Sequence, residues 1–152
     1  MSTRPLFDRI DRLATPVAQI ITRLVFGQSF ALTGWGKLHN LEGVTKFFTE
    51  LGIPAPEIQA PMIATLEFVG GILLLFGLGT RVAALLLTGT MVVALATAHG
   101  GDLAESFRLD EVFANVAPLP YLVALLWLLA KGAGALSLDH WIGKRGGRKT
   151  AA

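Results

Sequence analysis

Cysteine is absent from all 152 residues. That removes dithiol chemistry, thiolate-bound zinc, iron–sulfur clusters and covalent c-type haem, and it takes away disulfides as a guide to compartment. Charge is scarce as well: 16% of the residues are Asp, Glu, Lys or Arg, against about 25% in soluble domains. With 53% hydrophobic residues and a mean hydropathy of +0.59, too few polar side chains remain to coat a globule, so apolar surface must face lipid. Disorder is excluded by the same composition. Net charge is only +2, and the basic residues lie in flanks and not in a stripe with interleaved aromatics, which argues against nucleic acid as a partner. No Ser/His/Asp arrangement, phosphate-cradling glycine loop or nucleotide fingerprint fits, and no metal site is expected. The 17 glycines follow no collagen period and suit close-packed membrane helices.

What is present is a set of four apolar runs. A helix needs about 20 apolar residues to cross about 30 Å of hydrocarbon, and residues 16–38, 61–78, 82–100 and 112–131 qualify. The first carries Arg23 and the second Glu67; the last two carry no formal charge. The expected fold is therefore all-α, an integral membrane four-helix bundle in one domain. Pro16 and Pro61 are expected at first-turn positions. Gly77 to Arg81 (GLGTR) is a tight turn that makes the second and third spans antiparallel neighbours. Between the first two spans, Val44, Phe47, Phe48 and Leu51 follow an i, i+3, i+4, i+7 pattern stopped by Gly52, which predicts a short interfacial helix over 43–51. A basic tail fills 140–152.

Orientation follows from lysine and arginine counts near the span ends. Arg4, Arg9, Arg12, Arg81, Lys131, Lys144, Arg145, Arg148 and Lys149 share one side; Lys37, Lys46 and Arg108 share the other. Both termini and the GLGTR turn are thus expected in the cytoplasm, in a multi-pass protein whose N-terminal segment resembles a retained anchor. Trp35 and Trp141 fall near opposite interfaces.

An ion inside the membrane has to face the bundle interior. Arg23, Gly27, Phe30, Gly34 and Lys37 make one helical stripe; Ala60, Ala64, Glu67, Gly71, Leu74, Leu78 and Arg81 make another, with Gly70 beside it. The small residues let these two faces meet. At ~1.5 Å per residue, Glu67 falls level with Gln28, with His99 and Lys37 slightly above and Arg23 about 10 Å below. Arg23, Lys37 and His99 all stay open as partners of Glu67. Near the inner interface, Arg23 is expected to snorkel to lipid phosphate.

These residues resemble the DoxX family: Arg23, Gly27, Gly34, Lys37 and Leu38 in the first span, LEFVGGILLLFGLGTR from Leu66 to Arg81, and GAGALSLD from Gly132 to Asp139, where Ala133 replaces the family's usual proline. The resemblance implies a small four-span protein of the bacterial inner membrane. It also implies a link to quinone-coupled oxidation, to quinone or catechol stress, or to membrane oxidant-defence complexes, with a quinone as the cofactor. On that reading Glu67 and His99 are the expected proton-exchanging groups. Gln28, Lys37, Arg23 and Trp35 are expected to line a quinone or small-molecule pocket. A redox partner subunit or a homo-oligomer would supply the electron path that the chain lacks. Two other functions stay open: a proton-coupled small-molecule transporter, and a non-catalytic anchor subunit.

Overall fold

The computed structural model describes residues 4–98 and 116–147, with side chains over 14–98 and 116–144. Every regular element among the described residues is a helix: α1 (Arg4–Leu38), α2 (Leu41–Glu50), α3 (Pro56–Phe76), α4 (Thr80–Ala98), α5 (Pro118–Lys131) and α6 (Leu138–Gly147). His99, Arg108 and the start of the expected fourth span lie outside them.

Local chemistry sets the helix ends. The Asn40 side chain accepts a hydrogen bond from the Gly43 amide and opens α2, supplying one of the acceptors that a helix start lacks. Ala55 takes a left-handed conformation (φ 49°) and Pro56 follows it as the first residue of α3. Gly77 ends α3 at φ 65°, with the Leu78 amide reaching back to the Leu73 carbonyl, a Schellman closure that favours glycine.

Two expectations about proline are corrected. Pro16 and Pro61 both stand inside helices, because α1 already starts at Arg4 and α3 at Pro56. Each removes one backbone hydrogen bond, a loss that a long helix packed against neighbours tolerates. In α3 it is Pro56 that has the first-turn role expected of Pro61.

The core lies where α1, α3, α4 and α5 meet, built from Phe30, Leu74, Ala83, Ala84, Leu87, Met91, Leu125 and Leu128. Tyr121 of α5 packs edge-on against both Phe26 and Phe30 of α1. Outside this core the bundle is apolar: Val17, Ile21, Leu24 and Val25 on α1, and Val82, Leu85, Leu86, Val92 and Val93 on α4, are all exposed. Water would not stabilise such a surface; hydrocarbon does. Helices α3 and α4 are each long and apolar enough to cross a membrane.

Helices α1 and α3 form the most intimate pair, and glycine is the reason. A Cβ on Gly71 would overlap the Ala31 amide nitrogen and sit 2.7 Å from the Gly27 carbonyl oxygen; one on Gly34 would sit 2.7 Å from the Phe68 Cα. Both neighbours are backbone, so neither can step aside cheaply. Gly71→Leu is accordingly expected to pry α1 from α3 and to destabilise the protein by about 1–3 kcal/mol or more. A thermal scan of the detergent-solubilised variant checks this, and an unshifted transition would mean that the close approach contributes nothing.

Candidate functional site

The stripes read from the sequence face each other. Ala60, Ala64, Glu67, Gly70, Gly71 and Leu74 are the buried residues of α3, and on α1 the stripe Arg23, Gly27, Phe30, Gly34 is buried, with Lys37 partly so. Beyond Gly77 the helix has ended, so Leu78 and Arg81 leave the stripe and are exposed.

At the end of this interface nearer α2, Lys37 Nζ donates to Glu67 Oε1 at 2.6 Å. The exposure is unequal: 34% for the lysine side chain and 3% for the glutamate. Lysine has the reach to pair with a buried acid while keeping its stem near the surface. Of the three partners left open by the sequence, Lys37 is therefore the one that reaches Glu67. The second carboxylate oxygen, Oε2, is buried without a hydrogen-bond partner, a condition that Thr80 Oγ1 shares among the described residues. A buried carboxylate oxygen with a free lone pair is an acceptor waiting for a donor.

The other residues expected around Glu67 are placed differently. Gln28 is exposed. It is one residue past Gly27, so the ~100° turn per residue rotates it off the buried stripe; the height match with Glu67 ignored this rotation. Trp35 is half exposed, packs against Phe68, the residue after Glu67, and stacks on His39 at 4.1 Å between ring centroids. His99 lies outside the described residues.

Arg23 is corrected most. It is 5% exposed and does not snorkel. Its Nε donates to the Leu74 carbonyl, Nη2 to Leu75, and Nη1 to both Ala133 and Leu136, at 2.7–3.1 Å. The guanidinium thus binds the last carbonyls of α3, which have no intrahelical donors and carry the negative end of the helix dipole. It also ties them to the chain segment that follows α5. Arg23 bonds to Leu74, seven residues past Glu67, or ~10 Å along α3, so the two charges belong to separate sites.

Sequence reasoning missed two members of this second site. Gln19, 5% exposed, donates through Nε2 to the Lys131 and Gly132 carbonyls at the end of α5, 3.2 Å each. It stands four residues before Arg23, on the same stripe, and that spacing could have found it. Asp139 accepts from the Gly79 and Thr80 amides at 2.7 and 3.0 Å, capping α4 from 60 residues away in sequence, while its own amide donates to the Gly77 carbonyl. Gly77 is confined from two directions: a Cβ there would lie 2.7 Å from both Arg23 Cζ and Ser137 Cβ. Three separated blocks, around Arg23, GLGTR and GAGALSLD, thereby close on one another.

An apolar exterior, spanning-length helices and ionic groups turned inward define an all-helical integral membrane protein. Residues 18–100 match the DoxX family model, more than half of the chain, and the chain belongs to the DoxX family. It is 30% identical to a Bacillus subtilis protein named "Putative oxidoreductase CatD", over 89% of this chain and 96% of that protein. It is 29% identical to "Inner membrane protein YqjF" of Escherichia coli, over 85% and 95%. It is 32% identical to "Uncharacterized membrane protein Rv3486" of Mycobacterium tuberculosis, over 95% and 93%. No solved structure matches the chain.

Proposed function

We propose that this protein is a quinone-associated redox or oxidant-defence component of a bacterial inner membrane, with Glu67 as its proton-exchanging group. In this reading four spans cross the bilayer, both termini and the α3–α4 turn are cytoplasmic, as the nine-to-three excess of basic residues requires, and the Lys37–Glu67 pair lies in the outer half. The carrying observation is the buried Glu67 carboxylate, with one oxygen on Lys37 and the other open. The open oxygen can accept from the hydroxyl of a quinol or catechol, and Lys37 balances the charge while the acid is ionised. Trp35 offers a half-exposed ring beside this position, and His99 is the second proton-exchanging group. The name of the Bacillus subtilis relative points to the same class of chemistry.

Oxidising a quinol to a quinone releases two protons and two electrons. Glu67 accepts a proton from the hydroxyl it binds; the electrons pass to an acceptor on a partner subunit, because the chain has no redox centre of its own. Detergent-purified wild type is expected to yield lipid-soluble quinone on extraction. Glu67→Gln is expected to keep the fold and to lower quinol-dependent turnover by at least ~10²-fold. No quinone and no quinone-dependent turnover from wild type would end this reading. An unchanged phenotype in Glu67→Gln would favour the anchor alternative, and proton flux in proteoliposomes the transporter.

A further inference from the structure

A second ligand site lies at the opposite end of the α1–α3 interface, independent of the redox reading. Beside Arg23 a groove of about 830 Å³ opens between the end of α3, residues 135–137 and α6. Its walls are apolar and uncovered: Phe76 is 62% exposed, Leu136 71% and Trp141 55%. Its polar groups are cationic or able to become so, namely Arg23, His140 and Lys144. Ser137, His140, Trp141 and Lys144 follow the i, i+3, i+4, i+7 spacing that brings them to one side of α6.

The Arg23 guanidinium is the unusual element. An arginine has five N–H donors; four are spent on the carbonyls of Leu74, Leu75, Ala133 and Leu136, which leaves one Nη2 hydrogen. The group is 5% exposed, lines the groove and has no ion-pair partner among the described residues. Asp139 lends it a through-space countercharge, but both carboxylate oxygens of Asp139 are already committed to the Gly79 and Thr80 amides. A buried cation with a donor left over and an incomplete counter-ion is a strong recruiter of an anion.

We propose that this groove binds an anionic phospholipid. Its phosphate lies between the remaining Arg23 N–H and the Lys144 ammonium, and the first part of an acyl chain lies along Phe76, Leu136 and Trp141. Guanidinium hydrogens suit a phosphodiester better than they suit water. The volume exceeds that of a phosphate ion, and the three exposed apolar side chains would have no use for a soluble anion.

The test uses the full-length protein in a neutral detergent, stripped of lipid, with phosphatidylglycerol, phosphatidylcholine or inorganic phosphate added. Native mass spectrometry reads the adduct and a thermal scan reads stabilisation. Phosphatidylglycerol is expected to give a retained adduct and a raised transition; phosphatidylcholine and inorganic phosphate are expected to give neither. Lys144→Glu is expected to weaken phosphatidylglycerol at least ~10-fold, and Lys144→Arg to restore it. Lys46→Glu, on exposed α2, is the charge-matched control and is expected to bind as wild type does. Equal retention of phosphatidylcholine, undiminished phosphatidylglycerol binding by Lys144→Glu, or stabilisation by inorganic phosphate alone would each overturn the proposal.

Discussion

Arg23→Met is expected to destabilise the protein by about 3–5 kcal/mol, the scale for deleting one partner from a buried charged network. Methionine matches much of the side-chain volume but donates no hydrogen bond. Four carbonyl oxygens, of Leu74, Leu75, Ala133 and Leu136, would lose their donor at once. Such a loss is a large share of the 5–15 kcal/mol or so that keeps a typical domain folded, so the variant should accumulate poorly in membranes. Arg23→Lys is expected to recover less than half, because an ammonium has three donors and lacks the planar fork that spans two segments. Fluorescence-detected size exclusion with heating reads both variants. A wild-type transition in Arg23→Met would show that the clasp contributes nothing to the fold.

The second large effect is asymmetric. Lys37→Met removes the cation from a carboxylate whose side chain is 3% exposed and is expected to cost about 3 kcal/mol, near the low end for breaking a buried pair. Glu67→Gln leaves behind an ammonium that is 34% exposed and can turn to water or headgroups, so its cost is expected to stay under about 1 kcal/mol. Lys37→Met combined with Glu67→Gln should recover most of the loss, since no unpaired buried charge remains. Thermal or SDS denaturation of the four proteins gives the coupling as a double-mutant cycle. Additive effects would mean that the 2.6 Å contact does not stabilise the bundle.

Much of this architecture was legible because glycine and charge are informative inside lipid. Arg23, Gly27, Gly34 and Lys37 fall at helical spacing, and the need to shelter two ions pointed this stripe at the one carrying Glu67. Height alone misled: Gln28 matched Glu67 along the axis but is rotated away from it. Arg23 was misread for a different reason. Its partners are four main-chain carbonyls, two of them more than 100 residues distant, and backbone acceptors leave no trace in side-chain patterns. Asp139 was hidden in the same way, since it caps α4 across a fold that joins positions 79 and 139. Pro16 and Pro61 looked like helix starts because each lies near the boundary of an apolar run; the helices extend past them into more polar residues.

The clasp also bears on the order of assembly. Gln19 and Arg23 belong to the first helix, yet their acceptors at residues 131–133 and 136 are made near the close of synthesis. Until that stretch emerges, the early hairpin holds a cation that only α3 partly satisfies. The last joint to form is therefore the one that reports a finished chain, and a truncated product would display a naked guanidinium where quality-control proteases can find it.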